Sequence, residues 1–441
     1  MMDSLHFQQS DLCPVKAGGV GLRRRSTGIA AIILLTVFGL GCGQTFRPIA
    51  TPLPQPGGDP NNLQHAIVVS ENGLSLGSAT SVDTTGDTNV GNAITGVGPV
   101  HAGFVSTVRT YVANSGDNTV TRFSTLAPSA GSVTIAMPAG CDPSFVMSRN
   151  TGTAYVACPD SNQVAVMNVA LDSIVTAVTV GASPKRLDET FNGNKVYSLN
   201  SGDGTVSVIA TVDNVVTQTI KVGGSPTWSA MNQDGSLLFV ANAGGYVSVI
   251  DTITDALAAG PTYPFNTITV GSNPTFVTFD PSRRRLYVVN NGSNNISVID
   301  AVATSPKFLT VIATIPVGTN PTSITALRNG AKAYVSNCDS NTVSVIDATS
   351  LAVANTINTG TCPIWLTSPT DSTRVIVGVR GAGTGATEAD PPQILTISTQ
   401  TDAILVRLKP PQQDPTCHIN PAPPIVTYCP LQQPVFVTMA P

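Results

Sequence analysis

Eight positions share one spacing, each lying two residues after a proline. They are His101, Phe145, Arg186, Trp228, Phe276, Ser323, Trp365 and Phe436, behind Pro99, Pro143, Pro184, Pro226, Pro274, Pro321, Pro363 and Pro434. Both tryptophans of the chain fall in this set. Aromatic rings with a few polar groups among them suit a sugar, a peptide or another flat ligand. The competing use of the same rings is to pack against one another. Arg186 and His101 are the informative members, because a charge held among rings requires water or a partner. His101, Phe145, Arg186, Trp228, Phe276, Trp365 and Phe436 are therefore the ligand-contact candidates. Asp188 stands two residues beyond Arg186, so on a strand both side chains project from one face.

Several other chemistries are excluded or weak. No Cys-x-x-Cys-His haem site or Walker loop occurs, and the one Gly-x-Ser-x-Gly stretch, Gly73-Leu-Ser-Leu-Gly77, is followed by no helical pattern, so it is no nucleophile elbow. Beyond the N-terminal segment only His65, His101 and His418 remain, too few for a copper or haem centre. Gly381-Ala-Gly-Thr-Gly-Ala is glycine-rich, but no helical pattern follows to hold a phosphate. Asp117, Asp160, Asp203 and Asp339 could bind calcium, yet they are dispersed over separate repeats, and turn formation accounts for them. The same holds for Asp251, Asp300 and Asp347. No metal site and no cofactor is expected. Net charge is −4 with only 11% charged residues. Without a basic stripe to track phosphates, nucleic-acid binding is excluded. Arg283-Arg284-Arg285 reads as a solvated turn.

These positions belong to a repeat. An aromatic or isoleucine opens a short apolar segment at Ile67, Tyr111, Tyr155, Tyr197, Phe239, Tyr287, Tyr334 and Ile376, in steps of 42 to 48 residues. Glycine stands three residues before seven of the prolines, from Gly96 to Gly360. Asn114, Asn200, Asn242, Asn290 and Asn337 follow the aromatic by three residues. Val, Ile, Thr and Tyr alternate with polar residues, which predicts strands, four to each repeat. Asn192-Gly193, Asp234-Gly235 and Asn329-Gly330 predict tight hairpins between the first and second strands. A fixed period in this range with four antiparallel strands predicts an all-β propeller of radial blades. Counting second strands gives eight blades; the divergence of residues 65–98 and 376–409 leaves seven as the alternative. Ile67 has no proline-led strand before it. Pro434-Val-Phe-Val-Thr-Met-Ala-Pro supplies one, so the C-terminal strand is expected to close the first blade. The connections carrying the proline and Asn columns share one face, together with two insertions at about 380–392 and 410–433. The funnel mouth is expected there.

Tyr111-Val-Ala-Asn-Ser-Gly-Asp-Asn-Thr-Val, Tyr334-Val-Ser-Asn-Cys-Asp-Ser-Asn-Thr-Val-Ser-Val-Ile-Asp and the Val-Gly-x-x-Pro segments resemble the YVTN β-propeller repeat over roughly residues 65–441. The resemblance implies the fold and leaves activity open. The absence of a recognisable catalytic constellation favours a non-enzymatic binding or scaffold protein, its partner a protein, peptide or glycan of the cell envelope. A structural envelope component is a further alternative. Lactonase propellers are similar to this repeat family. That implies an exported hydrolase as the rival reading, with Arg186, Asp188, Glu189 and Arg380 as catalytic candidates.

Arg23-Arg24-Arg25, an apolar run from Gly28 to Leu40, then Gly41 and Cys42 read as a signal peptide over residues 1–42. The ending Phe-Gly-Leu-Gly-Cys resembles a bacterial lipoprotein signal, which implies lipidation at Cys42 and an outer-membrane anchor as the sole membrane contact. Residues 43–64, rich in Pro and Gly, form a tether, and residues 65–441 a single domain. Six cysteines remain in an oxidising compartment. Repeat phase pairs Cys141 with Cys158 and Cys338 with Cys362, and leaves Cys417 with Cys429.

Overall fold

In a computed structural model that describes residues 64–72, 75–106, 108–148, 152–382, 390–411 and 432–440, the repeats form eight antiparallel sheets. The signal, Cys42 and the tether lie outside the described residues, as do Cys417, Cys429 and most of both insertions. Blade 1 pairs His65–Glu71, Leu76–Asp83 and Thr88–Val97 with the C-terminal strand Gln433–Met439. Blades 2 to 8 follow in chain order, with inner strands Pro99–Ser106, Phe145–Met147, Pro184–Glu189, Pro226–Met231, Pro274–Asp280, Pro321–Ala326 and Pro363–Thr367. Each inner strand packs beside the next, and that of blade 8 packs beside Gln433–Met439, so the ring closes. The eight-blade count and the closing strand are as the repeat predicts. Blade 5 departs in detail: its outer edge is split into Ala256–Leu257 and Thr267–Thr269.

The core lies between blades rather than within one. Tyr111, Tyr155, Tyr197, Phe239, Tyr287 and Tyr334 are all fully buried. Burying both faces of every second and third strand explains why these segments are nearly continuous in Val, Ile and Ala. Outer strands such as Val215–Lys221 alternate toward solvent and carry Thr, Gln and Lys, which discourages edge pairing.

Polar bonds join successive blades at a column not legible from the repeat alone. The hydroxyls of Tyr111, Tyr197 and Tyr334 donate to Asp172, Asp255 and Asp402 of the next blade at 2.6, 2.7 and 2.6 Å. Arg122, Lys195 and Lys332 pair with the same carboxylates at 3.0, 2.7 and 2.8 Å. Tyr155 bonds Asn214 in the same way. These acceptors all sit in the left-handed region, at φ 49, 52, 56 and 56° for Asp172, Asp255, Asp402 and Asn214, where Asp and Asn are tolerated best among residues with a Cβ. Where the tyrosine is Phe239, the left-handed residue is Leu309, buried in the same cluster. Between blades 6 and 7 the match fails. Tyr287 keeps its hydroxyl, but the left-handed position is Leu351 at φ 55°, and the Tyr287 hydroxyl has no hydrogen-bond partner among the described residues. Burial, then the charge of Asp280, pushes that hydroxyl up to about 12. Leu351→Asp is therefore expected to stabilise the protein by about 1–2 kcal/mol, through relief of backbone strain and satisfaction of the buried hydroxyl. Urea unfolding checks this, with Tyr287→Phe as the background in which the gain shrinks.

Cys141–Cys158 ties the connection before the inner strand of blade 3 to the end of its second strand, and Cys338–Cys362 joins blade 7 to blade 8. The arginine run differs from its sequence reading. Arg283 donates to Gly330 and Thr349, and Arg285 to Ala348, so two of the three arginines clasp blade 7 rather than point into solvent.

Candidate functional site

The proline-spaced positions converge on the propeller axis. His101 stacks on Phe145 with ring centres 3.7 Å apart, and lies 4.3 Å from Phe436. Trp228 lies 4.8 Å from Phe276 and 5.2 Å from Trp365, and Trp365 lies 4.8 Å from Phe436. Contact between Trp228 of blade 5 and Trp365 of blade 8 means that the rings meet across the axis. They plug the channel, and their exposed surface is its floor. Ser323 is the exception. It is fully buried, and its hydroxyl accepts from the Leu366 N–H at 3.2 Å instead of facing the cavity.

A cavity of about 730 Å³ stands on this floor. Its wall is the next inward-facing set, four residues after each proline: Gly103, Met147, Asp188, Ala230, Thr278, Thr325, Thr367 and Thr438. Phe191, Asn232, Gln233, Pro281, Arg328 and Pro369 line it farther out. All of these belong to the ends of inner strands and to the hairpins that follow, so the cavity opens on the face opposite the proline and Asn columns. This corrects the expected position of the mouth. The rings do lie close to the proline face, but their bulk seals that end.

Asp188 is the sole acid among the described residues that line the cavity. Its carboxylate lies 3.5 Å from Arg186 Nε and accepts a hydrogen bond from the Ser229 hydroxyl, which in turn accepts from Arg186 Nε at 3.1 Å. The Arg186 guanidinium rests 3.7 Å from the centre of the Trp228 ring and 4.9 Å from that of Phe145, a cation–π seat strengthened by exclusion of water. The two-residue spacing of Arg186 and Asp188 on one strand is what brings them together. The other catalytic candidates are separated from them. Glu189 is fully buried on the opposite face of that strand and does not line the cavity. Arg380, just after a second strand, donates to Gln433 and is likewise no part of the cavity.

Burial, then the positive charge of Arg186, holds the His101 imidazole well below the usual 6.5. Nδ1 lies 3.4 Å from the Val146 backbone nitrogen. A stability consequence follows. The unfolded chain takes up a proton near pH 6.5 that the folded ring refuses, so this contribution is complete above the unfolded value and is lost as pH falls through it. The slope approaches about 1.4 kcal/mol per pH unit for one proton. His65, also lowered by burial, adds to it. Urea unfolding from pH 7.5 to 5 is expected to show His101→Phe losing stability less steeply than wild type; equal slopes would mean that the buried ring is protonated in the fold.

The Asn column is structural. Asn114, Asn200, Asn290 and Asn337 donate to hydroxyls or an amide on the adjacent third strand, and all four are fully buried. Asp117 and Asp203 accept backbone N–H groups of Val97 and Ala182, tying the connections between blades. Asp251, Asp300 and Asp347 cap the turns after their strands.

Residues 250–359 match the family described as "Lactonase, 7-bladed beta-propeller". Among solved structures, the dihydro-heme d1 dehydrogenase NirN aligns with TM-score 0.64 and 13% identity over 82% of this chain and 76% of its own. A candidate 6-phosphogluconolactonase from Bacteroides fragilis aligns with TM-score 0.55 and 13% identity over 87% of this chain and 99% of its own. Apo AztD from Citrobacter koseri aligns with TM-score 0.57 and 10% identity over 86% and 99%. No curated protein matches. The chain is thus an eight-bladed propeller that shares its fold with these propellers and matches a lactonase family over residues 250–359. The expectation of a chain without catalysis is overturned here by that lactonase family match.

Proposed function

We propose that the protein is an exported hydrolase that opens a lactone or similarly activated ester in the axial cavity. The observation that carries this reading is the lone wall carboxylate, Asp188, held beside Arg186 and Ser229 directly above the aromatic floor. Ester hydrolysis needs an acceptor for the proton of the attacking water and donors for the oxyanion. Asp188 takes the water proton as the new C–O bond forms. The Arg186 guanidinium supplies the positive field and the donors near the developing charge. When the ring C–O bond breaks, the departing alkoxide recovers the proton from Asp188, leaving a hydroxy acid. The two disulfides support an oxidising compartment, and export through the N-terminal signal, with anchoring at Cys42, belongs to the same proposal. The test is turnover of a lactone panel by the wild type and by Asp188→Asn. Absence of turnover across the panel would sink the reading.

A further inference from the structure

We infer that the substrate of this cavity is an uncharged lactone fused to, or bearing, an aromatic ring, with its arene on the side of blades 6 to 8 and its carbonyl toward blade 4; the inference rests on the hydrolase reading. The cavity is chemically one-sided. Arg186 and Asp188 both stand on blade 4 and are paired with each other. Four steps round an eight-membered ring, blade 8 faces them across the axis. It presents Trp365, with Phe276 packed edge-on against it at 5.3 Å, and both rings are only partly buried. The Trp228 face is taken by the Arg186 guanidinium at 3.7 Å, so Trp365 and Phe276 are the floor rings left for a ligand. Above them the inward-facing wall positions are Thr278, Thr325 and Thr367, with Pro281, Arg328 and Pro369 farther out; the threonine methyl and hydroxyl groups neither repel an arene nor neutralise a charge. A sugar phosphate would find one further cation lining the cavity, Arg328, far from the floor and exposed. A dianion needs more than that to leave water. An aromatic ring needs only ring edges, ring faces and methyl groups.

The experiment compares kcat/KM of the whole chain for four lactones: dihydrocoumarin, δ-valerolactone, glucono-δ-lactone and its 6-phosphate. Dihydrocoumarin and δ-valerolactone share a six-membered lactone ring, but the arene also makes the leaving group a phenoxide, so their ratio is set against that of their uncatalysed hydrolysis. The expected result is a preference for dihydrocoumarin over δ-valerolactone of about tenfold or more beyond that intrinsic ratio, with the excess collapsing in Trp365→Leu and again in Phe276→Leu. The ratio is internal to each variant, so partial loss of folded protein does not imitate it. Binding of coumarin, followed by calorimetry, gives a readout independent of turnover. A preference for gluconolactone or its phosphate would overturn the inference and leave the hydrolase standing. Saturable coumarin binding with no lactone turned over would support the arene site and sink the hydrolase. Neither binding nor turnover would overturn both.

Discussion

Asp188→Asn is expected to lower kcat/KM for lactones by about 100-fold or more, the contribution of a positioned general base, while leaving the fold intact. The substitution keeps the shape of the side chain and its bond to Ser229, which donates to Asp188 through its hydroxyl. What it removes is the proton acceptor. Arg186→Ala is expected to cost about 10²- to 10³-fold by loss of oxyanion stabilisation, but it also strips Trp228 and Phe145 of their cation and leaves Asp188 without its pair in a half-closed site. Its stability falls with its activity, whereas that of Asp188→Asn falls less, because the Asn side chain keeps the bond to Ser229 and an amide oxygen beside Arg186. Ser229→Ala tests positioning: the hydroxyl bridges Arg186 Nε and Asp188, and its loss is expected to cost about tenfold. Because the three groups act as one unit, Asp188→Asn combined with Ser229→Ala should be little worse than Asp188→Asn alone. Steady-state rates with a single good lactone, set beside urea midpoints, decide the matter. Equal activity of Asp188→Asn and wild type would leave the Arg186–Asp188 pair a structural ion pair.

The eight-blade ring was readable because its signal is repeated. Proline, glycine, aromatic and Asn columns in one phase leave little freedom in where strands begin, and the orphan second strand at Ile67 requires a partner such as Pro434–Met439. The pairings Cys141–Cys158 and Cys338–Cys362 were readable for the same reason, since strand phase fixes which ends are neighbours. The direction of the funnel was not readable. Columns show that eight side chains reach the axis, but whether they leave a hole depends on their summed bulk, and two tryptophans and three phenylalanines leave none. The wall set was within reach by the strand period of two: the positions after His101, Phe145 and Arg186 in that period are Gly103, Met147 and Asp188. Its value lay in the one acid among neutral neighbours, a contrast visible only when all eight are read together. Ser229 could not have been found, because its relation to Asp188 runs between blades. Nor could the blade-to-blade acceptors Asp172, Asp255 and Asp402, which lie 61, 58 and 68 residues beyond their tyrosines, since turn formation already accounts for an Asp after a strand.

Deleting residues 432–441 is expected to abolish cooperative folding, and the magnitudes show why this strand outranks any other closing contact. Gln433–Met439 is the innermost strand of blade 1 and pairs with His65–Glu71 along its length. Phe436 and Val437 are buried in two separate clusters, one shared with blade 2 and one with blade 8. Phe436→Ala alone is expected to cost about 3–5 kcal/mol as a buried aromatic truncation, a large share of the 5–15 kcal/mol typical of a folded domain. By contrast, the Arg374–Asp87 pair that also joins blades 8 and 1 at 3.1 Å is partly open to water, and Arg374→Ala should cost no more than about 1 kcal/mol. The second strand of blade 8 is shaped for the closing strand. A Cβ at Gly378 would meet Pro434 Cβ at 2.8 Å and Val437 at 3.1 Å, so Gly378→Val should act as a milder form of the deletion. Without Gln433–Met439 the edge of His65–Glu71, with Ile67 and Val69 fully buried in the closed ring, becomes an unpaired apolar strand. Such an edge pairs with other chains, so the deletion is expected to yield aggregate rather than an open propeller. Light scattering and a urea melt separate the cases. A soluble truncated chain with a single unfolding transition would show that the remaining strands hold without the closing strand.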